Sequence, residues 1–378
     1  MRSRGMAPAE TAPAETAHQV RTAEMHHGAS ATATTGTEDG VRPRTRTRAV
    51  AALGALAALL LGALVLAVSI GPIQIPFTET VQVVLGNRSS EHASIIDSIR
   101  LPRVLVGLFV GAALGVAGAV MQALFRNPLA EPGVLGVSSG AAVAAVAVIV
   151  SGATAAGAWV LPLGAFTGAL GALVLVYAVA SARRDRSIAT LLLIGIALNA
   201  LFGAVVSAMV TNAPNDDTLR GVVFWLNGDL VARTWSHVQM VVIPVAITLA
   251  AVLVFTRDLN VMLLGEVQAQ ASGVDVVRLR RVLLVLAAVL TGAAVAVAGI
   301  IGFVGLVVPH LIRMVLGPDH RLLLPSAALL GGTFLVLADL VARMLFSPVT
   351  LQTGTVTALI GAPVFLLLVL RRRRAPRT

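Results

Sequence analysis

Long apolar runs, each near the length of one membrane-crossing helix, recur through the chain from Val50 to Leu370 and end in arginines, prolines or short polar loops. A helix needs roughly 20 predominantly apolar residues to cross the hydrocarbon core. The runs read as spans at 50–70, 104–125, 134–150, 159–180, 188–210, 238–255, 282–300, 303–316, 322–345 and 354–370, about ten in all. A composition of 57% hydrophobic and 12% charged residues agrees, being too apolar for a soluble core. The expected fold class is an all-α integral membrane protein.

One stretch leaves the count open. Residues 282–316 are apolar almost throughout and can be read as one long helix or as two short ones parted near Gly299 to Gly305. Splitting it gives an even number of crossings and returns Arg371 to Arg374 to the side that holds Arg42, Arg44, Arg46, Arg48, Arg126, Arg183, Arg184, Arg186, Arg257, Arg278, Arg280, Arg281 and Arg321. Positive residues concentrate on the cytoplasmic side, so both termini are expected there. Acids such as Glu79, Glu91, Asp97, Asp216, Asp217 and Asp229 then fall outside. The net charge of +10 is accounted for by that bias, and no nucleic-acid partner is expected.

Residues 1–48, rich in Ala, Thr, Pro and Glu with APAET repeated, read as a disordered cytoplasmic tail; 49–370 form the membrane domain, and 371–378 a basic cytoplasmic tail. Two outer segments, Ile75 to Leu85 and Val222 to Leu230, have the pattern of short interfacial helices, with Trp225 as an aromatic anchor.

Composition also excludes chemistry. With no cysteine there is no disulfide, thiolate metal site or cysteine nucleophile. With no lysine there is no Walker A loop, so any ATP is bound by another subunit. No catalytic constellation or metal site is evident: His310 follows Pro309 as a structural histidine would, and Ser138 and Ser139 lack acid and base partners. Gly107, Gly111, Gly115 and Gly118 share one helical face, a helix-packing signal with a substrate path as the alternative. Gln122 and Asn127 are placed to bond the backbone of the proline-broken loop that follows.

Arg100, Arg103 and Arg343 fall outside, against the charge bias. Two readings are open: internal pairing, Arg343 with Asp339 and Arg100 with Asp97 or lipid, or reception of an acidic partner. The long inner connection from Arg257 to Arg281 either packs beneath the protein or offers a helix to a partner's groove.

Five motifs in order, RLPR at 100–103, NPLAEPGVLGVSSGA at 127–141, LNVMLLGE at 259–266, GFVGLVVPHLIR at 302–313 and TALIGAPVF at 357–365, make the chain similar to the FecCD-type permeases. These are subunits of binding-protein-dependent ABC importers for iron(III)-siderophores, haem and cobalamin. The resemblance covers Val50 to Leu370 and implies the type II importer architecture of ten spans, in the inner membrane of a bacterium. It implies a second permease subunit, two ATPase subunits carrying ATP and Mg, a substrate-binding protein outside and a metal chelate as cargo, with no cofactor on this chain. By the same resemblance Arg100, Arg103 and Arg343 dock the binding protein. Leu264, Gly265, Glu266, Ala269, Gly273 and Val274 couple to the ATPase, and Ser187 and Thr190 lie at the cytoplasmic gate.

The chain departs from the pattern at Thr350 to Gly354, where an acid and a proline are usual, and at Ser272, where leucine is common. Near Ser187 to Thr190 only the first residue matches the cobalamin importer's hydroxyl-rich pattern. The expected function is therefore a permease passing an iron(III)-siderophore inward by alternating access, with haem or cobalamin as alternative cargo. An ion-driven secondary transporter is the alternative from another class, and it calls for a mid-membrane relay of ionisable residues. Asp339 is the one carboxylate inside a predicted span, near its outer end.

Overall fold

In the computed structural model, which describes residues 42–73, 75–87, 90–182, 187–347 and 349–372, every apolar run forms a helix. The first, α1 (Arg42–Ser69), is followed by a short outer helix, α2 (Phe77–Val84). The core begins with α3 (Leu101–Leu124), entered through the wide π-helical turn Ile96–Arg100, and continues with α4 (Val137–Val150), α5 (Val160–Ala182) and α6 (Ile188–Thr211). Then come the outer α7 (Asp216–Leu226), the membrane helix α8 (Trp235–Val254) and the short inner α9 (Thr256–Met262) and α10 (Glu266–Ala271). The chain closes with α11 (Val276–Ala298), α12 (Val304–Leu316), α13 (His320–Met344) and α14 (Thr353–Arg372). No strand occurs among the described residues.

The split at residues 299–303 is real: α11 ends before it and α12 begins after it. Among the described residues, seven helices are long and apolar enough to cross a bilayer alone, and three apolar helices, Val137–Val150, Val304–Leu316 and Thr353–Leu368, are shorter. Two of the short ones follow breaks in the α-helical backbone, a 3-10 turn at Pro132–Leu135 and the segment 299–303, which hydrocarbon tolerates only when protein satisfies them. Here protein does. Asn199 Nδ2 donates to the carbonyls of Gly133 and Val134, at 3.1 and 3.3 Å, before α4. Gln122 Nε2 donates to Gly305 and Leu306 oxygens, at 3.2 and 3.1 Å, at the start of α12.

Gln122 thus serves not the loop expected but the first turn of α12, where Pro309 has no N–H to offer the Gly305 carbonyl, and Asn127 serves only its own turn, its Oδ1 accepting from Leu129 N at 2.9 Å. Two further expectations are corrected. Residues 42–48 belong to α1 rather than to a tail, because the apolar helix propagates back through the arginines, and the rest of that tail lies outside the described residues. Residues 371 and 372 likewise extend α14, while 373–378 lie outside. Residues 45–378 form one unit.

α3 is the hub. It is buried on nearly every side, and its glycine face meets α13 and α12 at backbone distance. A Cβ at Gly115 would stand 2.5 Å from the Ala327 carbonyl oxygen, closer than real side chains come. Gly111 meets Gly331 in the same way, Gly118 meets Gly305, and Gly107 lies under Leu230 and Val336. The glycine spacing is therefore a packing device, as its periodicity indicated. Trp225 is not an interfacial anchor: it is buried, with its carbonyl pressed against Gly299. Trp235 takes a bridging position instead, its Nε1–H donating to Asp97 O at 2.9 Å.

Candidate functional site

Three places carry the polar chemistry: a charge network at the outer end, a cavity beside the broken loops, and the helical hairpin at the arginine-rich end.

At the outer end, Arg100, Arg103 and Arg343 are 4%, 8% and 5% exposed, so the free guanidinium handles expected there do not exist. Asp339 is the hub. Arg103 chelates it with Nε at 3.1 and 3.0 Å and an outer nitrogen at 2.8 Å, Arg343 Nε lies 3.2 Å from Oδ2, and Thr353 Oγ1 donates to Oδ1 at 2.9 Å. The second cationic role is helix capping. Arg100 donates to Val68 O at 2.7 Å, to Ser69 O at 2.8 Å and to Ile73 O, and Arg343 donates to Ala67 O at 3.0 Å. These are carbonyls of the last turn of α1 and the loop beyond, groups that a helix leaves unpaired and that carry its negative dipole end. Of the internal pairings read from the sequence, Arg343 with Asp339 is present, whereas Arg100 is held by carbonyls of α1 and the loop beyond, and Arg103 is a partner of Asp339 that the sequence reading did not name. The network joins α1, α3, α13 and α14.

Beside it, burial raises the carboxyl of Asp229 above its ordinary range, against a hydrogen bond from Val231 N and the field of Arg103. Burial pulls the neighbouring Arg233 guanidinium down, with Asp229 opposing. On the outer surface Ser90 and then His92 hold the Glu79 carboxyl below its usual value.

The cavity, about 300 Å³ and partly open, lies beside the 3-10 turn at Pro132–Leu135 and the break near Ile300–Gly302 and is lined by Glu131, Ser138, Ser139, Asn199, Thr291 and Gly302. Asn199 is fully used, accepting from Ser139 Oγ while holding the loop carbonyls. The Glu131 carboxylate faces the same space, half-buried; its Oε1 and the Ser138 hydroxyl flank Gly133. Sequence reasoning missed Glu131 because an acid in a loop reads as solvated. The signal was its place in AEPG, where Pro132 and Gly133 end a loop that turns back between helices.

At the opposite end, α9 and α10 make a hairpin at Gly265, whose φ of 126° excludes ordinary side chains. Leu264 and Val267 project from it, 70% and 75% exposed. Ala269 is buried beneath, and its carbonyl accepts from Val274 N at 3.0 Å across the turn at Gly273, φ 85°. Glu266 pairs with Arg280 of α11 at 2.6 Å. Arg126, from the end of α3, donates to Met262 O at 3.1 Å, and Asn260 Nδ2 reaches Asp319 at 2.6 Å before α13. The hairpin is thus anchored to α3, α11 and α13, while its apolar tip stays largely exposed among the described residues. A polar cleft of about 480 Å³ beside it is lined by Arg257, Asp258, Gly273, Asp275 and Arg278.

Ser187 is the N-cap of α6, its Oγ accepting from Thr190 N at 3.2 Å. The two expected gate residues therefore hold a helix terminus, and Arg183, Arg184 and Arg186 beside them lie outside the described residues.

The family model described as the FecCD transport family matches residues 59–371. The cobalamin import system permease protein BtuC of Halobacterium salinarum is 46% identical over 303 residues, covering 79% of this chain and 76% of the relative. The hemin transport system permease protein HmuU of Yersinia pestis is 45% identical over 294 residues, covering 76% and 87%. Among solved structures, a metal-chelate type ABC transporter in an inward-facing conformation superimposes with a TM-score of 0.75 at 35% identity, covering 84% of this chain and 98% of that one.

Proposed function

The chain belongs to the FecCD transport family, and from that premise we propose that it is the membrane-spanning permease of an ATP-driven importer for metal chelates, with an iron(III)-siderophore as the first cargo to test. Haem and cobalamin are the alternatives, and the two relatives described above are named for them. The protein is a transport subunit rather than an enzyme. It sits in the cytoplasmic membrane, with the arginine-rich end and both termini inside.

The observation that carries this reading is the hairpin of α9 and α10. An exposed apolar tip on the water side of a membrane protein is costly unless a partner covers it, and this tip is tied to the ends of α3, α11 and α13. A partner ATPase that moves Leu264 and Val267 therefore moves those helices, with Gly265 and Gly273 supplying the turns and Glu266 the link to α11. Rocking of packed helices then opens the polar cavity around Glu131 to each side in turn, so that a polar cargo never meets hydrocarbon. A second permease subunit completes the path, ATP and Mg stay on the ATPases, and a binding protein delivers the cargo outside. The buried network adds to this the charge of three arginines against one aspartate. That surplus draws an acidic partner through its field rather than by exposed guanidinium groups.

The test uses the assembled importer in proteoliposomes with loaded binding protein. Gly273→Trp or Glu266→Arg should leave assembly intact and remove the stimulation of ATP hydrolysis by loaded binding protein. Undiminished stimulation in both variants refutes the coupling assignment. Cargo is settled by comparing uptake of a ferric siderophore, hemin and cobalamin.

A further inference from the structure

The ties that anchor the hairpin of α9 and α10 are not alike. Arg126 reaches Met262 O with a long, flexible side chain, and Glu266 meets Arg280 in a pair whose acid is 39% exposed. Asn260 of α9 is short and spends all its polar atoms at one point, the first turn of α13. Its Oδ1 accepts from His320 N and from His320 Nδ1, both at 2.8 Å, while its Nδ2 donates to Asp319 at 2.6 Å. Asp319 is itself the N-cap of α13, accepting from Arg321 N at 2.9 Å. A helix start leaves its first N–H groups unpaired. Here one of them is capped by a hairpin residue that lies 60 positions earlier in the chain.

The role of each atom in this joint is fixed. A backbone N–H only donates, so the Asn260 oxygen faces His320, and the imidazole then carries its proton on Nδ1. Nε2 is left bare, buried and without a partner among the described residues, in a side chain 1% exposed. Leucine would fill the same space without stranding an acceptor. Packing alone gives no reason for a histidine there, whereas the bond from Nδ1–H to Asn260 does. From this joint α13 runs to Asp339 and Arg343 in the outer charge network, so buried polar groups hold both of its ends. Resting on the importer reading, we propose that Asn260 and His320 are positioning residues for transport, forming the joint through which displacement of the hairpin steers α13 and, at its far end, the outer network.

The test uses the assembled importer in proteoliposomes with loaded binding protein and whichever of a ferric siderophore, hemin and cobalamin the parent takes up. Two quantities are read: cargo taken up per ATP hydrolysed, and the affinity of the ATPase for the permease. Asn260→Ala and His320→Leu should each lower uptake per ATP roughly fivefold or more, the scale of a coupling between distant sites, at parental ATPase affinity because Leu264 and Val267 stay in place. The double variant should fall no lower than the worse single one. His320→Asn, whose amide N–H stands where Nδ1–H stood, should keep the parental ratio. Where His320→Leu does not assemble, Asn260→Ala on the short inner helix carries the same expectation. Parental uptake per ATP in Asn260→Ala overturns the joint, as does a His320→Asn variant with the ratio of Asn260→Ala, or a loss that follows weakened ATPase affinity. A parent complex that takes up none of the three chelates fails differently, removing the importer reading and the joint with it.

Discussion

The two ends of this bundle handle their polar and apolar groups in opposite ways. At the outer end, charged groups are buried and held within the chain: Arg100, Arg103 and Arg343 have Asp339 and the carbonyls of α1, and Thr353 adds a hydrogen bond to Asp339. At the arginine-rich end the reverse holds, and apolar Leu264 and Val267 project into water while their supports are tied back into the bundle. The first arrangement closes a fold on itself. The second leaves an apolar surface facing water, the one the proposed ATPase would cover. A buried arginine and an exposed leucine are each unfavourable alone, and what surrounds them separates structural use from partner use.

The comparison breaks first at Asp339. Asp339→Ala leaves buried guanidinium groups without their anion, and should cost about 3–5 kcal/mol, the loss expected when one member of a buried ion pair is removed. Thermal unfolding of the protein in nanodiscs reads it, and an unchanged midpoint would show that the outer end is not held by charge. Next, Leu264→Glu should leave that midpoint alone but weaken ATPase association by about 1.5–3 kcal/mol, the worth of burying one leucine. A titration of ATPase onto the permease checks it, and lost stability with intact association would reverse the contrast. Trp235→Phe removes one hydrogen bond to Asp97 and should lower stability by about 1 kcal/mol.

The smallest effect is at Glu79. Its folded-state carboxyl lies below the ordinary value, chiefly through Ser90. The contribution is therefore present above the unfolded-state pKa and fades as pH falls through the folded one. A Glu79→Gln variant should lose that slight acid-side slope in its unfolding midpoint.

The frame was legible in the sequence because hydrocarbon imposes a length and charge imposes a side. Even the break at 299–303, invisible to hydropathy, followed from which face Arg371 to Arg374 would reach. The glycine face of α3 was legible for a similar reason, since helical spacing alone puts Gly107, Gly111, Gly115 and Gly118 in line. What escaped was set by partners far along the chain. Arg103 meets Asp339 across 236 residues, and Asn199 holds carbonyls 65 and 66 residues away. No local pattern announces an acceptor at that distance, so the sequence offered Arg100 only a docking role or pairing with Asp97 or lipid, and offered Arg103 no internal partner. Glu131 was missed because only tertiary packing returns its loop between the helices. The hairpin of α9 and α10 stood out in the sequence through its motif, while its exposed tip and the ties that anchor it required the structure.

The clasp on the end of α1 has a consequence for how the protein is made. Arg343 follows Ala67 by 276 residues in the chain. At about 5–20 residues per second of synthesis, α1 enters the bilayer roughly tens of seconds before that arginine exists. Arg100, only 32 residues after Val68, arrives early enough to hold the helix end in the meantime. The near arginine would then act as a temporary latch during biogenesis, and the distant one as the lock that closes when the last helices arrive.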